Sequence, residues 1–270
     1  MKRLRGIGVQ LVIFFVIAIS IPTFMLAIDV VVTTKSTQRS NMQLTSEQTL
    51  QETKKGFETY LKTLSQPIDL LTRKNEVKHL EDQGTIDDNV KAIQDSLCAS
   101  VKVTSGAKRA FFTTKTGYKI TGWVEPNPAN GKTTNKKTVV TNANDTSKVW
   151  YKNSIGLAAR NNVYAYMSDP YKDSETGDTI FTVSQEIKYT NNENYGVVGM
   201  DIDFSEVTEY VQNIGLLNTG YVLLVDSNGQ VIVDNERNTY CSGSVTSLGF
   251  WDKLNSYKGS ENEYGINICL

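Results

Sequence analysis

Lys2, Arg3 and Arg5 stand immediately before an uncharged run, Gly6 to Ile28, which reads GIGVQLVIFFVIAISIPTFMLAI. As a helix, these 23 residues cover about 34 Å, enough to cross a hydrocarbon core of about 30 Å. Inside lipid every backbone amide needs an internal partner, so the run can satisfy a membrane only as a helix. The basic cluster holds its own end in the cytoplasm, and everything after Asp29 is expected outside. A cleaved signal peptide shares the basic start and apolar middle. Its apolar core, however, usually runs only about 7–15 residues and ends at a small-x-small site, which is not clear here. An uncleaved anchor over residues 1–28, including the cytoplasmic tip, is therefore expected, and Pro22 is tolerable within it.

Residues 29–83 then read as a stalk, one long helix or two stacked ones. Leu50, Phe57, Leu61, Leu64, Ile68 and Leu71 recur at helical spacing. Gly56 is a weak point, and Pro67 predicts a kink or break because it lacks an amide donor. Such a stripe suits a homodimer seam, and it suits equally a helix docked on its own domain; a homodimer through the stalk is the expectation carried forward.

Past Gly84 the pattern changes to short strands. A helix around Val90–Ser100 leads to Arg109–Thr113 and Tyr118–Trp123, a hairpin across Thr114-Lys115-Thr116-Gly117. Glu125 to Lys148 is polar and broken by Pro and Gly, and is expected to be mostly surface loop. Val163–Ser168, Thr179–Ile187 and Tyr195–Ile202 are strand-like, and Phe204–Leu217 resumes helical spacing with Ser205 available as N-cap. A further hairpin, Tyr221–Asp226 with Gln230–Asp234, turns at Asn228-Gly229, and a weak helix is expected over Phe250–Tyr257. The result is an α+β chain with two strand-helix modules in tandem, 84–217 and 218–270. The module from 218 reads as incomplete and poorly ordered beyond about Asn235, and the chain reads as cut short at Leu270.

Composition removes several classes of function. The charges nearly cancel, 28 Lys+Arg against 29 Asp+Glu, and hydrophobic residues make up 39%, so no nucleic-acid partner is expected. One His, His79, leaves little room for a His-dependent triad or multi-His metal site. Cys98, Cys241 and Cys269 show no CxxC spacing. No metal, no cofactor and no catalytic residue is assigned. Asp169, Asp173 and Asp178 lack calcium-loop spacing, and no GxSxG elbow occurs, so the chain is not expected to be an enzyme.

Four ordered segments carry a resemblance. They are Val149-Trp150-Tyr151-Lys152, then Ser168-Asp169-Pro170-Tyr171-Lys172-Asp173 with Thr176-Gly177, then Gly196-Val197-Val198-Gly199-Met200-Asp201-Ile202, and Gly220-Tyr221-Val222-Leu223-Leu224-Val225-Asp226 with Gly229. In that order the chain resembles the double-Cache sensing domain of bacterial methyl-accepting chemotaxis receptors. The resemblance implies a PAS-like antiparallel-sheet Cache module, distal to the membrane, that holds a small ligand, and a membrane-proximal module that relays the event. Many members of the family bind amino acids and a subset binds amines. Carried over residue by residue, their pocket pattern falls on Trp150, Tyr151, Tyr171, Asp173 and Asp201. The usual Arg two residues before Trp-Tyr is Lys148, and the usual Tyr five residues earlier is Ala143.

The residue types agree with that division. Two carboxylates, Asp173 and Asp201, can compensate an ammonium leaving water, and the rings of Trp150, Tyr151 and Tyr171 add cation–π attraction. Lys148 offers charge without the planar fork that grips both oxygens of a carboxylate. An amine-bearing ligand is thus the firmer expectation and an amino acid the narrower one. Each residue also has a plainer role open to it. The rings can be core or rim aromatics, Asp173 can cap the turn to Gly177, and Asp201 can cap the next element. The expected function is the extracytoplasmic ligand-sensing region of a membrane chemoreceptor. The same sensor on a histidine kinase or cyclic-dinucleotide enzyme, or an anchored binding protein, are the alternatives.

Overall fold

The computed structural model describes residues 6–78, 80, 86–157, 165–189, 191–213, 223–225, 229–234, 243–246 and 249. It is the α+β arrangement expected, a long N-terminal apolar helix followed by an antiparallel sheet. Contacts divide the chain into two units, residues 1–53 and 54–270. The first is the N-terminal part of helix α1 (Ile7–Thr72). It carries a segment, Gln10–Met42, long and apolar enough to cross a membrane and exposed throughout. Lys2, Arg3, Arg5 and the side chain of Leu50 lie outside the described residues.

Within the second unit, Phe57, Leu61, Leu64, Ile68 and Leu71 of α1 are all buried in the main core. The expected break at Pro67 is not there: α1 runs on to Thr72. The stripe explains why, since Leu64, Ile68 and Leu71 are fully buried around the proline, and that packing outweighs one missing amide bond. Gly56 does not interrupt the helix either. A Cβ there would stand 3.0 Å from the Tyr210 hydroxyl, so the glycine makes room for a ring. Helix α2 (Asn75–Lys78) and helix α3 (Ile86–Val103) follow; α3 begins four residues earlier and ends three later than its sequence signal.

The sheet comprises β1 (Ala107–Thr114), β2 (Lys119–Pro126), β3 (Thr133–Val140), β4 (Tyr166–Met167), β5 (Tyr171–Lys172), β6 (Thr179–Lys188) and β7 (Asn194–Asp203). Their order is β3-β2-β1-β7-β6-β4, with β5 also paired to β6. Strand β3 corrects the expectation of a loop over 125–148. It is an edge strand exposed almost along its length, so neither face demands apolar alternation, and the Thr- and Val-bearing run pairs through its backbone. The end of the same stretch folds into a 3₁₀ turn, Asn144–Ser147, and helix α4 (Val149–Ser154).

Strand geometry sends alternate side chains to opposite faces. Ala110, Phe112, Ile120, Val183, Val198, Met200 and Ile202 share one core with α1 and α3. The intervening residues face the other way, where α4 lies. Helix α5 (Phe204–Gln212) closes the module, and its N-cap is Asp203, not Ser205: the Asp203 carboxylate accepts from the Ser205 amide at 2.9 Å. Asp203 takes the role because the strand delivers it two residues before Ser205 with an extended backbone. Strands β8 (Leu223–Val225) and β9 (Val231–Asp234) pair antiparallel in a sheet of their own, and Gly229, just before β9, takes φ 77°. His79, residues 158–164, the end of the expected helix to Leu217, and the weak helix and loose tail past Asn235 lie outside the described residues, save 243–246 and 249.

Candidate functional site

Three cross-strand rows build the face opposite α1 and α3. In sheet order they are Trp123, Arg109, Asp201, Thr182; then Thr121, Phe111, Gly199, Ser184; then Lys119, Thr113, Val197, Glu186. The middle row is aromatic because Phe111 lies across Gly199, where a Cβ would stand 2.4 Å from its ring. Trp150 of α4 packs on Phe111 with ring centroids 4.8 Å apart, and Tyr151 and Val197 complete this small buried cluster. Helix α4 is pinned to the same row: the Ser154 hydroxyl donates to the Trp150 carbonyl at 2.7 Å, which leaves the Ser184 hydroxyl to donate to Ser154, also at 2.7 Å.

The first row carries the charge. Asp201 on β7 and Asp173, in the turn after β5, are both buried, and they converge on one cation that sequence reasoning missed. Arg109 Nε donates to Asp201 Oδ2 at 2.7 Å, and Arg109 Nη2 to Asp173 Oδ1 at 3.0 Å. Arg109 Nη1 donates to Glu175 Oε2 at 2.7 Å. The remaining carboxylate oxygens have their own partners. Thr182 Oγ1 donates to Asp201 Oδ1 at 2.7 Å, and Thr176 Oγ1 to Asp173 Oδ2 at 3.0 Å. Because the Thr182 proton goes to Asp201, the Tyr171 hydroxyl, 2.6 Å away, donates to Thr182 in turn. Tyr171 as a whole is 36% exposed, yet its hydroxyl meets the fully buried Thr182.

Charge and burial pull these groups in different directions. Burial pushes the Asp201 carboxyl upward, against the Arg109 charge and the Thr182 hydroxyl. For Asp173 burial also works upward, but the bonds from Arg109, the Glu175 amide and Thr176 together hold it below the usual range. Arg109 rises further above its ordinary value, since the two acids overcome its own burial. Burial, with the Asp201 charge, raises the Tyr171 phenol, and burial near Glu186 and Asp145 pushes the Tyr151 phenol up to about 12.

Another ion group lies across the aromatic row. Lys119 Nζ sits 2.8 Å from Asp145 Oδ2 and 4.7 Å from the Phe111 ring centroid, and Thr113 Oγ1 donates to the same Asp145 oxygen at 2.9 Å. Lys148 is exposed at the N-cap of α4; among the described residues, the side-chain cations that meet buried acids on this face are Arg109 and Lys119. Of the six residues expected from sequence, Asp173, Asp201 and Tyr171 thus form one bonded network, Trp150 and Tyr151 the aromatic cluster beside it, and Lys148 stands at the rim of α4. Arg109, Phe111, Lys119, Asp145 and Thr182 were missed. The signal for Arg109 was a charge at the head of a strand-like run, Arg109–Thr113, followed by Ala110, Phe111 and Phe112. A groove of about 700 Å³ lies elsewhere, lined by Pro170, Asp178, Asp203, Phe204, Thr208 and Ile232 among others; the space between the two buried carboxylates is filled by the guanidinium.

This geometry belongs to a recognisable class. Residues 32–266 match the Cache domain family, and the chain belongs to it. Relatives are the methyl-accepting chemotaxis protein TlpB of Bacillus subtilis, 26% identical over 119 residues, and a probable methyl-accepting chemotaxis protein of Bacillus thuringiensis, 28% identical over 89. Those matches take in 44% and 33% of this chain but only 16% and 12% of the relatives, so the chain spans a small part of their length. Among solved structures, the ligand-binding domain of the Campylobacter jejuni chemoreceptor Tlp3, crystallised with L-norvaline, is similar at TM-score 0.50 and 14% identity. The match covers 79% of this chain and 72% of that one. At that identity the likeness speaks for the fold, that of a Cache domain, as the four ordered segments implied.

Proposed function

We propose that this chain is the extracytoplasmic sensing region of a transmembrane chemoreceptor and that it binds a small amine-bearing ligand, an amino acid or an amine. One observation carries the proposal: two buried acids from different segments, Asp173 and Asp201, converge on a single cation beside an aromatic wall. A buried carboxylate pair holds its place only with a positive partner, and an ammonium flanked by Trp150, Tyr151 and Tyr171 is a partner of that kind. The relatives and the Tlp3 domain with its amino acid support the sensor role. Lys148, at the rim, is the candidate for a ligand's carboxylate end.

The proposed organisation keeps an anchor over 1–28, a stalk over 29–83, the ligand-binding module over 84–217 and a membrane-proximal module from 218. The segment Gln10–Met42 supports a membrane location. The exposed part of α1 is the proposed homodimer seam. No chemistry on the ligand is proposed, and no cofactor. Binding works by differential affinity, which shifts a two-state equilibrium in the stalk helices. The coupling path is short, because β6 carries Ser184 on the ligand face and Gln185 on the other, where Gln185 Nε2 donates to Asp69 Oδ1 of α1 at 3.4 Å.

Isothermal titration of the whole chain in lipid nanodiscs, against amino acids and primary amines, is the test. Binding of at least one amine-bearing compound, abolished by Asp201→Asn, is expected. A folded sample that gives no heat with any amine-bearing compound refutes the proposal.

A further inference from the structure

We infer that Arg109 is a built-in occupant of the amine position and thereby sets specificity: its guanidinium holds Asp173 and Asp201 in the empty protein, an incoming ammonium exchanges with it, and the released guanidinium takes the ligand's carboxylate. The inference rests on the reading of the two acids as a cation seat given above.

The seat stands without Arg109. Asp201 Oδ1 is fixed by Thr182, itself held by Tyr171, and Asp173 by Thr176 and the Glu175 amide at 3.3 Å. Arg109 therefore supplies charge to acids that other groups already orient. The guanidinium also straddles the boundary with solvent. Its Nε and Nη2 point inward to acids whose side chains are 4% and 7% exposed, while Nη1 holds Glu175, which is 76% exposed. A bond to so exposed a carboxylate costs little to break or remake. The group can thus leave the seat on the Glu175 side without unpacking the core, and an ammonium, with three donors on one compact charge, can serve both acids in its place.

Exchange of one cation for another gives a plain amine little advantage, and it leaves a guanidinium without its two buried partners. A ligand that brings its own carboxylate supplies a new partner, which the planar fork of Arg takes through two parallel bonds. The chain then prefers zwitterions, and the missing Arg at position 148 is offset by one arriving from β1.

The test compares L-norvaline with butylamine, the same skeleton lacking the carboxylate, on the full chain in nanodiscs. The wild type is expected to bind norvaline about tenfold more tightly, and Arg109→Met to bind butylamine about tenfold more tightly than the wild type while keeping only the part of the norvaline preference that Lys148 supplies. A folded R109M that binds butylamine no better overturns the inference. If, at the same time, the wild type binds norvaline and D201N does not, the sensor reading survives and only the role of Arg109 falls. If neither protein binds either amine, the cation seat itself falls. Should R109M not fold, the wild type decides. The Nε–H resonance of Arg109, assigned by its loss in R109K, is expected to shift on saturation with norvaline, and an unmoved resonance overturns the exchange.

Discussion

Replacing Arg109 by Met keeps the length of the side chain and removes its charge, which isolates what the guanidinium does for the two acids. The bond to Glu175 contributes about 0–1 kcal/mol, since that carboxylate is 76% exposed. The bonds to Asp201 and Asp173 are different, because those side chains are 4% and 7% exposed and the distances are 2.7 and 3.0 Å. Stripping the cation from a buried pair costs about 3–5 kcal/mol. For a unit of this size each kcal/mol moves the midpoint by about 2–4 °C, so R109M is expected to melt about 6–20 °C below the wild type. Neutralising one acid should recover part of that loss. In R109M/D201N the two substitutions are then non-additive by about 1–3 kcal/mol. The assay is thermal unfolding of the full chain followed by circular dichroism at pH 7, at low and at about 0.5 M salt, since buried pairs are little screened. A shift under about 2 °C, or a strictly additive cycle, refutes the reasoning that the guanidinium neutralises the acids.

Three further outcomes follow from the same geometry. Gly199→Ala places a Cβ 2.4 Å from the Phe111 ring and is expected to destabilise by about 1–3 kcal/mol through overpacking; thermal melting measures it, and an unchanged midpoint counts against the close contact. Asp173, depressed in the folded state, contributes stability that is present above its unfolded value of about 3.9 and is lost as pH falls through the folded value. Asp201, raised by burial, acts with the opposite sign, so Asp173→Asn should flatten the acid limb of the urea midpoint against pH while Asp201→Asn steepens it. Tyr60 buries a hydroxyl for which the described residues offer no partner, and burial lifts its phenol to about 12. Tyr60→Phe is accordingly expected to stabilise by about 1 kcal/mol, with the stacked contact to Tyr210 at 4.7 Å kept; a loss of stability would show that the hydroxyl is satisfied.

The sequence was most legible where one physical demand ruled alone. Long apolar runs such as Tyr195–Ile202 are strands buried on both faces, and their order sufficed to place Asp201 at a strand end. It was least legible at the edges. Strand β3 carries no apolar alternation because solvent covers it, and Pro67 misled because the core around Ile68 tolerates one missing bond. At the site, the acids were readable from the family pattern, but their partner was not. Arg109 is separated from Asp173 by 64 residues and from Asp201 by 92. Only the antiparallel register that sets Arg109 across from Asp201 brings them together. Lys119 and Asp145 were equally hidden, since neither stands in a motif and it is a strand and a 3₁₀ turn that bring them together.

That register also explains why the candidate site and the core shared with α1 have so few residues in common. Along β7, Asp201 faces the cation while Met200 and Ile202 on either side of it are fully buried in the core that includes Leu64, Ile68 and Leu71 of α1. Along β6, Thr182 and Ser184 serve the site while Phe181, Val183 and Gln185 face α1 and α3. A close-packed interior does not absorb displacement smoothly. On the proposed reading, a change in how Asp201 is held would be felt one residue away on either side, at Met200 and Ile202, in the core that α1 shares. The arrangement places a demand on the cation as well. An uncompensated acid buried at Asp201 is costly, so the Arg109 charge bonded to it at 2.7 Å also supports the strand on which the core depends.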